Sequence, residues 1–176
     1  FNTELTTYFN NGLKWKNQFL YTRYLFELYS NFTFFLNDPV NGDQIRQKEA
    51  RNLFVLNSVM DKEHNLGRFQ SKLQSGVQLR FDATENSELS RTRDRTMVTS
   101  PIQLGNIREL NAGVFAEEII KFSSAFDLTV GLRGDYFTNS YDDLLNGSKL
   151  SSSSFIASPK LNFDYRLNKN VHLYWH

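Results

Sequence analysis

The chain has 176 residues, which is the length of one domain or of part of one. It carries 20 lysine and arginine residues against 19 aspartate and glutamate residues, so the net charge of +1 gives no electrostatic argument for nucleic-acid binding. With no cysteine, it cannot form a disulfide framework, a cysteine metal site or a thiol catalyst. A mean hydropathy of −0.49 and the lack of any apolar run of about 18 residues exclude a transmembrane helix. A transmembrane β-barrel stays open, because a barrel strand needs only one apolar face.

Alternation of apolar and polar residues dominates the chain and predicts strands. The first long run, residues 18–36, is apolar on its even face and mixed on its odd face. At about 3.3 Å per residue it would reach roughly 60 Å, which exceeds the usual strand of a globular protein. A strand of this length suits a barrel whose strands continue beyond the membrane.

The later segments alternate to different degrees. Three of them have one mostly apolar and one polar face: residues 69–81, 128–136 and 155–167. Residues 110–122 fit a strand at six of seven positions but also partly fit a helix, and we interpret them as a strand. Residues 51–62 alternate poorly, so that strand prediction depends on spacing. Pro159 lacks a backbone N–H and predicts a local irregularity. The predicted strands cover residues 1–9, 14–36, 51–62, 68–95, 108–122, 126–141, 155–167 and 171–176.

The predicted connections alternate in length. The short ones contain the Asn, Gly and Ser residues of tight turns and lie near residues 10–12, 64–67, 123–124 and 168–170. The long ones cover residues 37–50, 97–108 and 142–154. Short turns at one end and long loops at the other are typical of an outer-membrane barrel.

Several segments resemble TonB-dependent outer-membrane receptors. The run Gly-Leu-Arg-Gly-Asp at 131–135 resembles the Gly-Leu-Arg-x-Asp strand of that family, with a glycine where an aromatic residue is more usual. Residues 111–118 are similar to the preceding strand, and residues 158–165 to the family's Ser-Pro-Arg/Lys-Leu strand. Residues 167–174 resemble the periplasmic turn that follows. Residues 31–47 resemble family members from Bacteroidetes-type bacteria.

The resemblance implies an all-β fold, a transmembrane barrel of 22 antiparallel strands closed around an N-terminal plug. Residues 1–176 would be part of the C-terminal barrel domain and would supply about eight strands. The short turns would be periplasmic and the long loops extracellular. The implied function is uptake of a scarce solute, such as an iron chelate (a siderophore) or cobalamin, across the outer membrane of a Gram-negative bacterium. The implied partners are membrane lipid, the plug domain, TonB and an unidentified small-molecule ligand.

Two other interpretations stay open. The first is a self-contained outer-membrane barrel of eight strands with a structural or adhesion role, or a membrane enzyme; it requires residues 1–9 to pair with residues 171–176. The second is a soluble all-β binding module, which predicts two apolar sheet faces meeting in a dry core.

The alternation also predicts which side chains face lipid and which face the lumen. The apolar set expected to face lipid is Leu73, Val77, Leu79, Leu128, Val130, Leu132, Leu161 and Phe163. The polar set expected to face the lumen is Lys72, Gln74, Gln78, Arg133, Asp135, Lys160 and Asp164. A polar lumen is usual for barrels of this class.

Two groups of side chains are candidates for binding. Arg133 and Asp135 lie on the presumed lumen face and are candidate contacts of the plug domain. Asp38, Asn41 and Asp43 cluster in one loop and are candidate extracellular ligand contacts. Their oxygen atoms would also suit Ca²⁺, or a turn that uses Asn, Asp and Gly for its own geometry.

No catalytic chemistry is predicted. No motif places a serine or a carboxylate beside His64, His172 or His176, so we predict no catalytic residue, metal ligand or cofactor, and no enzyme. The charged run 82–95 contains three alternating arginines, Arg91, Arg93 and Arg95. They either form a solvated face or attract an anionic ligand.

Overall fold

A computed structural model describes residues 1–175 as one antiparallel sheet of eight strands in the order β1 to β8. The strands are β1 (Asn2–Tyr8), β2 (Leu13–Ser30), β3 (Ile45–Leu66), β4 (Phe69–Arg93), β5 (Met97–Lys121), β6 (Phe126–Asp143), β7 (Lys149–Arg166) and β8 (His172–Trp175). The all-β prediction is confirmed, and so is the strand interpretation of residues 110–122. His176, named above with His172, lies outside the described residues. No helix in residues 1–175 is long and apolar enough to cross a membrane.

The register gives the sheet two different faces. Directly opposed residues share a face, and the series Val77, Val114, Gly134 continues the apolar face across three strands. The series Gln78, Gly113, Asp135 continues the opposite face. All eight residues of the predicted apolar set lie on the first face, and all seven of the polar set lie on the second. We call these the apolar face and the polar face.

We call the edge of the sheet that holds the β2–β3, β4–β5 and β6–β7 connections the distal edge. The predicted strand ends are wrong at this edge. Strand β2 ends at Ser30 and not at residue 36, because the chain then turns back with the Leu36 N–H donating to the Thr33 carbonyl at 3.0 Å. The predicted long loops 97–108 and 142–154 are largely strand, and their true connections cover only residues 94–96 and 144–148. Residues 31–44 form the one long connection among the described residues.

The opposite edge, which we call the turn-side edge, holds the short turns as predicted. They cover residues 9–12, 67–68, 122–125 and 167–171. The irregularity predicted at Pro159 is wrong, since the β6–β7 register passes through it unbroken, with Pro159 opposite Leu132. The described part of β8 pairs with β7 only from Phe163 onward, so the missing N–H of Pro159 costs no bond to a described neighbour.

The sheet has no apolar core of its own. Among residues 1–175 no hydrophobic side chain is fully buried, and no second sheet covers the apolar face. The dry core predicted by the soluble-module interpretation is therefore absent from the described chain. Strands β1 and β8 also do not pair with each other there, so the sheet is open and the small closed barrel finds no support.

Candidate functional site

Two rows of aromatic rings bound the apolar face. The turn-side aromatic row consists of Phe69, Phe122, Phe126, Phe163 and Trp175, whose successive ring centroids lie 4.7, 5.7, 6.2 and 5.5 Å apart. The distal aromatic row contains Tyr21, Phe54 and Phe81, with centroids 4.8 and 6.3 Å apart, and the opposed pair Tyr136 and Phe155. Aromatic girdles mark both interfaces of outer-membrane barrels.

The distance between the rows matches a bilayer. Tyr136 lies ten positions after Phe126 on β6. At about 3.3 Å per residue and a tilt of roughly 40–45°, this stretch spans about 25 Å, the height of the apolar band of such a barrel. On β6 the side chains between the rows, apart from Gly134, are aliphatic, and Leu132 has 61% of its surface accessible. The apolar face therefore has the height and the aromatic borders that are typical of the outer surface of a membrane barrel.

Arg133 and Asp135 form a two-pronged ion pair on the polar face. Two residues apart on β6, they share a face, and Arg133 donates from Nε to Oδ2 at 2.7 Å and from Nη2 to Oδ1 at 2.6 Å. The pair lies against Gly113 of the neighbouring strand, where a Cβ atom would stand 2.5 Å from Nη2 of Arg133. Gly113 thus lets the ion pair lie flat on the polar face.

Two more glycines, Gly76 and Gly131, keep the same polar face flat. The ring of Phe115 lies across Gly76, where a Cβ atom would come within 2.9 Å of it. Lys160 of β7 and Glu117 of β5 are both opposite Gly131, and they meet above it with 2.8 Å between Nζ and Oε2. A side chain at 131 would stand between these partners. The polar face at this height is a smooth surface of paired charges and one flat ring.

The candidate loop cluster is organised by its own carboxylates. Asp43 accepts the backbone N–H groups of Asn37 and Asp38, both at 2.9 Å, and the Asn37 amide at 3.1 Å. Asp38 accepts from the N–H of Val40 and from both the N–H and the amide of Asn41. The structure therefore shows the turn geometry. Among the described residues no group of three or more potential metal ligands is assembled.

These hydrogen bonds lower the pKa of both loop carboxylates, Asp38 and Asp43. The N–H of Asn37 is the main cause that holds the pKa of Asp43 below its usual value, and the N–H of Asn41 does the same for the pKa of Asp38. Because the folded pKa is depressed, the stabilisation is present above the unfolded value of about 3.9 and is lost as the pH falls through the folded value. Acid should loosen this loop only below about pH 4.

Asp43→Ala is expected to open the loop. The Asn37 and Asp38 N–H groups would lose a charged acceptor, so their amide hydrogen exchange should become about tenfold faster. Hydrogen exchange at neutral pH on the intact barrel measures this. Asp94→Asn is the control, since Asp94 is an exposed carboxylate of the neighbouring connection, with its Oδ2 3.6 Å from Nε of Arg93. Equal exchange rates in the two variants would contradict the assigned role of Asp43.

The loop is fixed to the neighbouring β4–β5 tip. The Gln44 side chain accepts from the N–H of Arg95 at 2.9 Å and bonds the Thr92 hydroxyl at 3.1 Å. Next to this junction the loop exposes large apolar side chains: Phe32, Phe34, Phe35, Leu36 and Val40. Arg91, Arg93 and Arg95 are exposed on the tip, so the arginines and the rings belong to one distal surface.

Sequence reasoning missed a polar cluster on the apolar face. His64 lies in β3 and not in a turn, and its Nε2 is 3.4 Å from Oε1 of Glu118. The Ser71 hydroxyl donates to the same carboxylate oxygen. The carboxylate stands between the hydroxyl and the imidazole, so the imidazole cannot take the serine proton as it does in a hydrolase triad. Nδ1 of His172 lies 3.9 Å from Oδ1 of Asp164, and both side chains are exposed.

Comparisons with known proteins agree with this geometry. The family described as "TonB dependent receptor-like, beta-barrel" matches residues 1–174. No curated protein sequence matches the chain. Among solved structures, the unliganded ferric citrate transporter FecA is similar, with a TM-score of 0.77, 15% identity, 92% of this chain covered and 24% of that chain. The chain thus spans about a quarter of the FecA chain, and the likeness shows the fold. Because this family matches nearly the whole length of the chain, residues 1–174, the chain belongs to the TonB-dependent receptor-like β-barrel family.

Proposed function

We propose that residues 1–176 are part of the barrel domain of an outer-membrane receptor that takes up a scarce solute with energy from TonB. The observation that carries the proposal is the apolar band of about 25 Å between two aromatic rows, backed by a polar face. Family membership supports it, because TonB-dependent receptor barrels are outer-membrane proteins of Gram-negative bacteria. The solute is an iron chelate or cobalamin, and the similarity to a ferric citrate transporter favours the iron chelate.

The uptake test uses cells that express the intact receptor, with and without TonB. Radiolabelled ferric citrate, a radiolabelled ferric siderophore and radiolabelled cyanocobalamin are the probes. We expect at least one of them to accumulate only in the cells that contain both proteins. Equal accumulation with and without TonB for all three probes would contradict the proposed uptake.

We further propose that the Arg133–Asp135 pair contacts the plug. The pair is flat, satisfied internally and placed on the polar wall beside Phe115, whose ring centre is 6.0 Å from the guanidinium. A surface of this kind suits a partner that must bind and then be released, because no uncompensated charge is left when it leaves.

Exchanging the two charges tests this contact. The double variant Arg133→Asp with Asp135→Arg keeps an ion pair on the same face but reverses the positions of its charges. We expect uptake to fall at least about fivefold, as an interfacial charge contact is lost, with normal barrel folding on a heat-modifiability gel. The matched control exchanges Lys16 and Glu4, an exposed pair 3.1 Å apart on β2 and β1. Normal uptake in the Arg133–Asp135 exchange would limit this pair to an internal role.

For the loop, we propose that residues 37–43 contribute ligand contacts at the extracellular end. The carboxylates of Asp38 and Asp43 are occupied by their own loop, so their role is to hold its shape, while Asn41 and the neighbouring rings are exposed. The eight-stranded structural or adhesion protein has no specific observation in its favour, since the described sheet is open.

A further inference from the structure

Two charged side chains lie within the apolar face on strands β3 and β5. Lys62 is directly opposite Leu73, and Leu73 is directly opposite Glu118, so the three residues form one row across β3, β4 and β5. We call these three residues the charged row. Glu118 lies four positions before Phe122 of the turn-side aromatic row. At about 3.3 Å per residue and a tilt of roughly 40–45°, the charged row lies about 10 Å inside the apolar band.

The sheet is apolar at this level on the strands that follow. The register continues from Glu118 to Val130 of β6 and then to Leu161 of β7. The two charges are therefore a local feature of one patch of the apolar face.

Neither charge is fully satisfied by its own chain. Within residues 1–175 Lys62 takes part in no ion pair and no side-chain hydrogen bond. Glu118 accepts from the Ser71 hydroxyl and lies 3.4 Å from His64, but both contacts use Oε1, and no described residue donates to Oε2. Because no water solvates a charge within the apolar band, both groups gain stability from a partner outside the chain.

The charged row is complementary to a second copy of itself. Leu73 is its centre, with the cation one strand to one side and the carboxylate one strand to the other. A two-fold axis along the membrane normal beside Leu73 brings Lys62 of each copy toward Glu118 of the other. With strands about 4.8 Å apart and tilted by roughly 40–45°, the two charges differ in depth by about 6 Å, which the long lysine side chain can cover.

Short side chains lie next to the charged row on its distal side. Ser75 and Ala116 oppose each other two residues nearer the distal edge. Together with Ser58 and others they line a groove of about 600 Å³. A second barrel can therefore approach this part of the apolar face more closely than it could approach a surface of large side chains.

We propose that the intact receptor forms a two-fold dimer in the membrane, with β3, β4 and β5 of each copy at the interface and two Lys62–Glu118 ion pairs across it. The occupant of the patch is a second copy because the patch itself supplies both the cation and the carboxylate, as an interface that uses the same surface on both subunits requires. Lipid tails offer neither group an ion partner. The inference rests on the proposed membrane setting and does not depend on which solute is transported.

Cysteine cross-linking tests the centre of the interface. Residues 1–176 contain no cysteine, and any cysteine elsewhere in the intact receptor is replaced by serine. The receptor then carries Leu73→Cys and is oxidised in the outer membrane, and the disulfide-linked dimer is measured on a non-reducing gel. A disulfide needs Cα atoms within about 7 Å, so we expect at least about fivefold more dimer than in the control.

The matched control is Leu161→Cys. Leu161 lies at the same level of the apolar face but three strands away from Leu73, and the two side chains have similar exposed fractions, 43% and 37%. Random collisions of receptors in the membrane would cross-link both variants equally. Equal dimer yields would therefore overturn the proposal, and so would a disulfide from Leu73→Cys to a different protein.

Exchanging the two charges tests the ion pairs. In the Leu73→Cys background, Lys62→Glu places two carboxylates opposite each other across the interface, and the dimer yield should fall at least about fivefold. Adding Glu118→Lys to Lys62→Glu restores opposite charges, so the double variant should regain most of the yield. If Glu118 served only its own chain, the double variant would regain nothing, because it also loses the Ser71 and His64 contacts.

Heat modifiability on a gel shows whether each variant folds. A folded double variant that cross-links as poorly as Lys62→Glu would overturn the ion pairs, and unchanged cross-linking in Lys62→Glu would do the same, since Lys62 would then only extend toward the membrane interface. The Leu73→Cys result needs no charge variant, so the proposal stays testable if one of them does not fold. Uptake is not measured here, so a failure of the transport proposal and a failure of the dimer are separate results.

Discussion

Replacing Leu132 by arginine is expected to lower the free energy of unfolding of the intact barrel by about 2–4 kcal/mol, because an arginine at the midplane of the lipid face cannot be solvated there. Leu132 lies six residues from Phe126 and four from Tyr136, near the middle of the band, and 61% of its surface is exposed. Its cross-strand neighbours are Ala116 and Pro159, neither of which offers a charge. Denaturant unfolding in lipid vesicles measures the loss.

The choice of position matters for this experiment. Val130 lies two residues closer to the turn-side edge than Leu132 and is directly opposite Glu118. An arginine at position 130 would form an ion pair with Glu118, which would hide the loss of stability. The control is Thr129→Arg, which introduces the same side chain on the polar face of the same strand, where charged groups are usual. A midpoint shift of equal size in Leu132→Arg and Thr129→Arg would refute the assignment of the apolar face to lipid.

The sequence predicted strands well within the apolar band between the two aromatic rows. In residues 69–81 and 126–136 the two faces have different surroundings, so apolar and polar residues alternate and the period can be read directly. Beyond the band the two faces no longer differ in polarity, so alternation ends although the hydrogen-bonded ladder continues. The serine run 151–154 in β7 and residues 97–108 in β5 are strand for this reason, and both were predicted as loop.

The opposite error occurred at residues 31–36. This run is apolar, so it was predicted to continue β2, yet Phe34 adopts a positive φ of 56° and the chain turns there. A run of phenylalanines does not distinguish a lipid-facing strand from an exposed loop tip. The register shifts of β4 also lie in its distal half, between Thr84 and Ser87 and beyond, where no simple period marks them.

The candidate site was predicted in part. The sharing of one face by Arg133 and Asp135 follows from their spacing of two, and their ion pair needed only a suitable rotamer. The flatness of the wall could not be predicted, since it depends on which residue of β5 stands beside which glycine of β4 and β6, and that is a matter of register. The Ser71–Glu118–His64 cluster was missed for the same reason, because three strands contribute to it.

Gly76→Val should destabilise the intact barrel, because position 76 on the polar face has no room for a side chain. A Cβ atom at this position would lie 2.6 Å from the Ser58 carbonyl oxygen and 2.9 Å from the ring of Phe115. The ring can rotate away, but the carbonyl belongs to the β3–β4 ladder and cannot move without disturbing the register. Overpacking of this kind costs typically about 1–3 kcal/mol, and a contact with fixed backbone is at the upper end.

A double-mutant cycle separates the two contacts. The cycle measures Gly76→Val in the unaltered receptor and in the Phe115→Ala background, which removes the ring and leaves the carbonyl, so valine at position 76 should cost less stability in that background but should still cost some. Gln78→Val introduces valine two residues along the same face, opposite Gly113 and Asn57, and serves as the control with little expected change. Denaturant midpoints of the intact barrel in lipid vesicles give all of these values. If Gly76→Val unfolds at the same midpoint as Gln78→Val, neither the Ser58 carbonyl nor the Phe115 ring crowds position 76, and the flat polar face is not a feature of the folded receptor. If it unfolds early and Phe115→Ala restores nothing, the backbone contact alone dictates a glycine there.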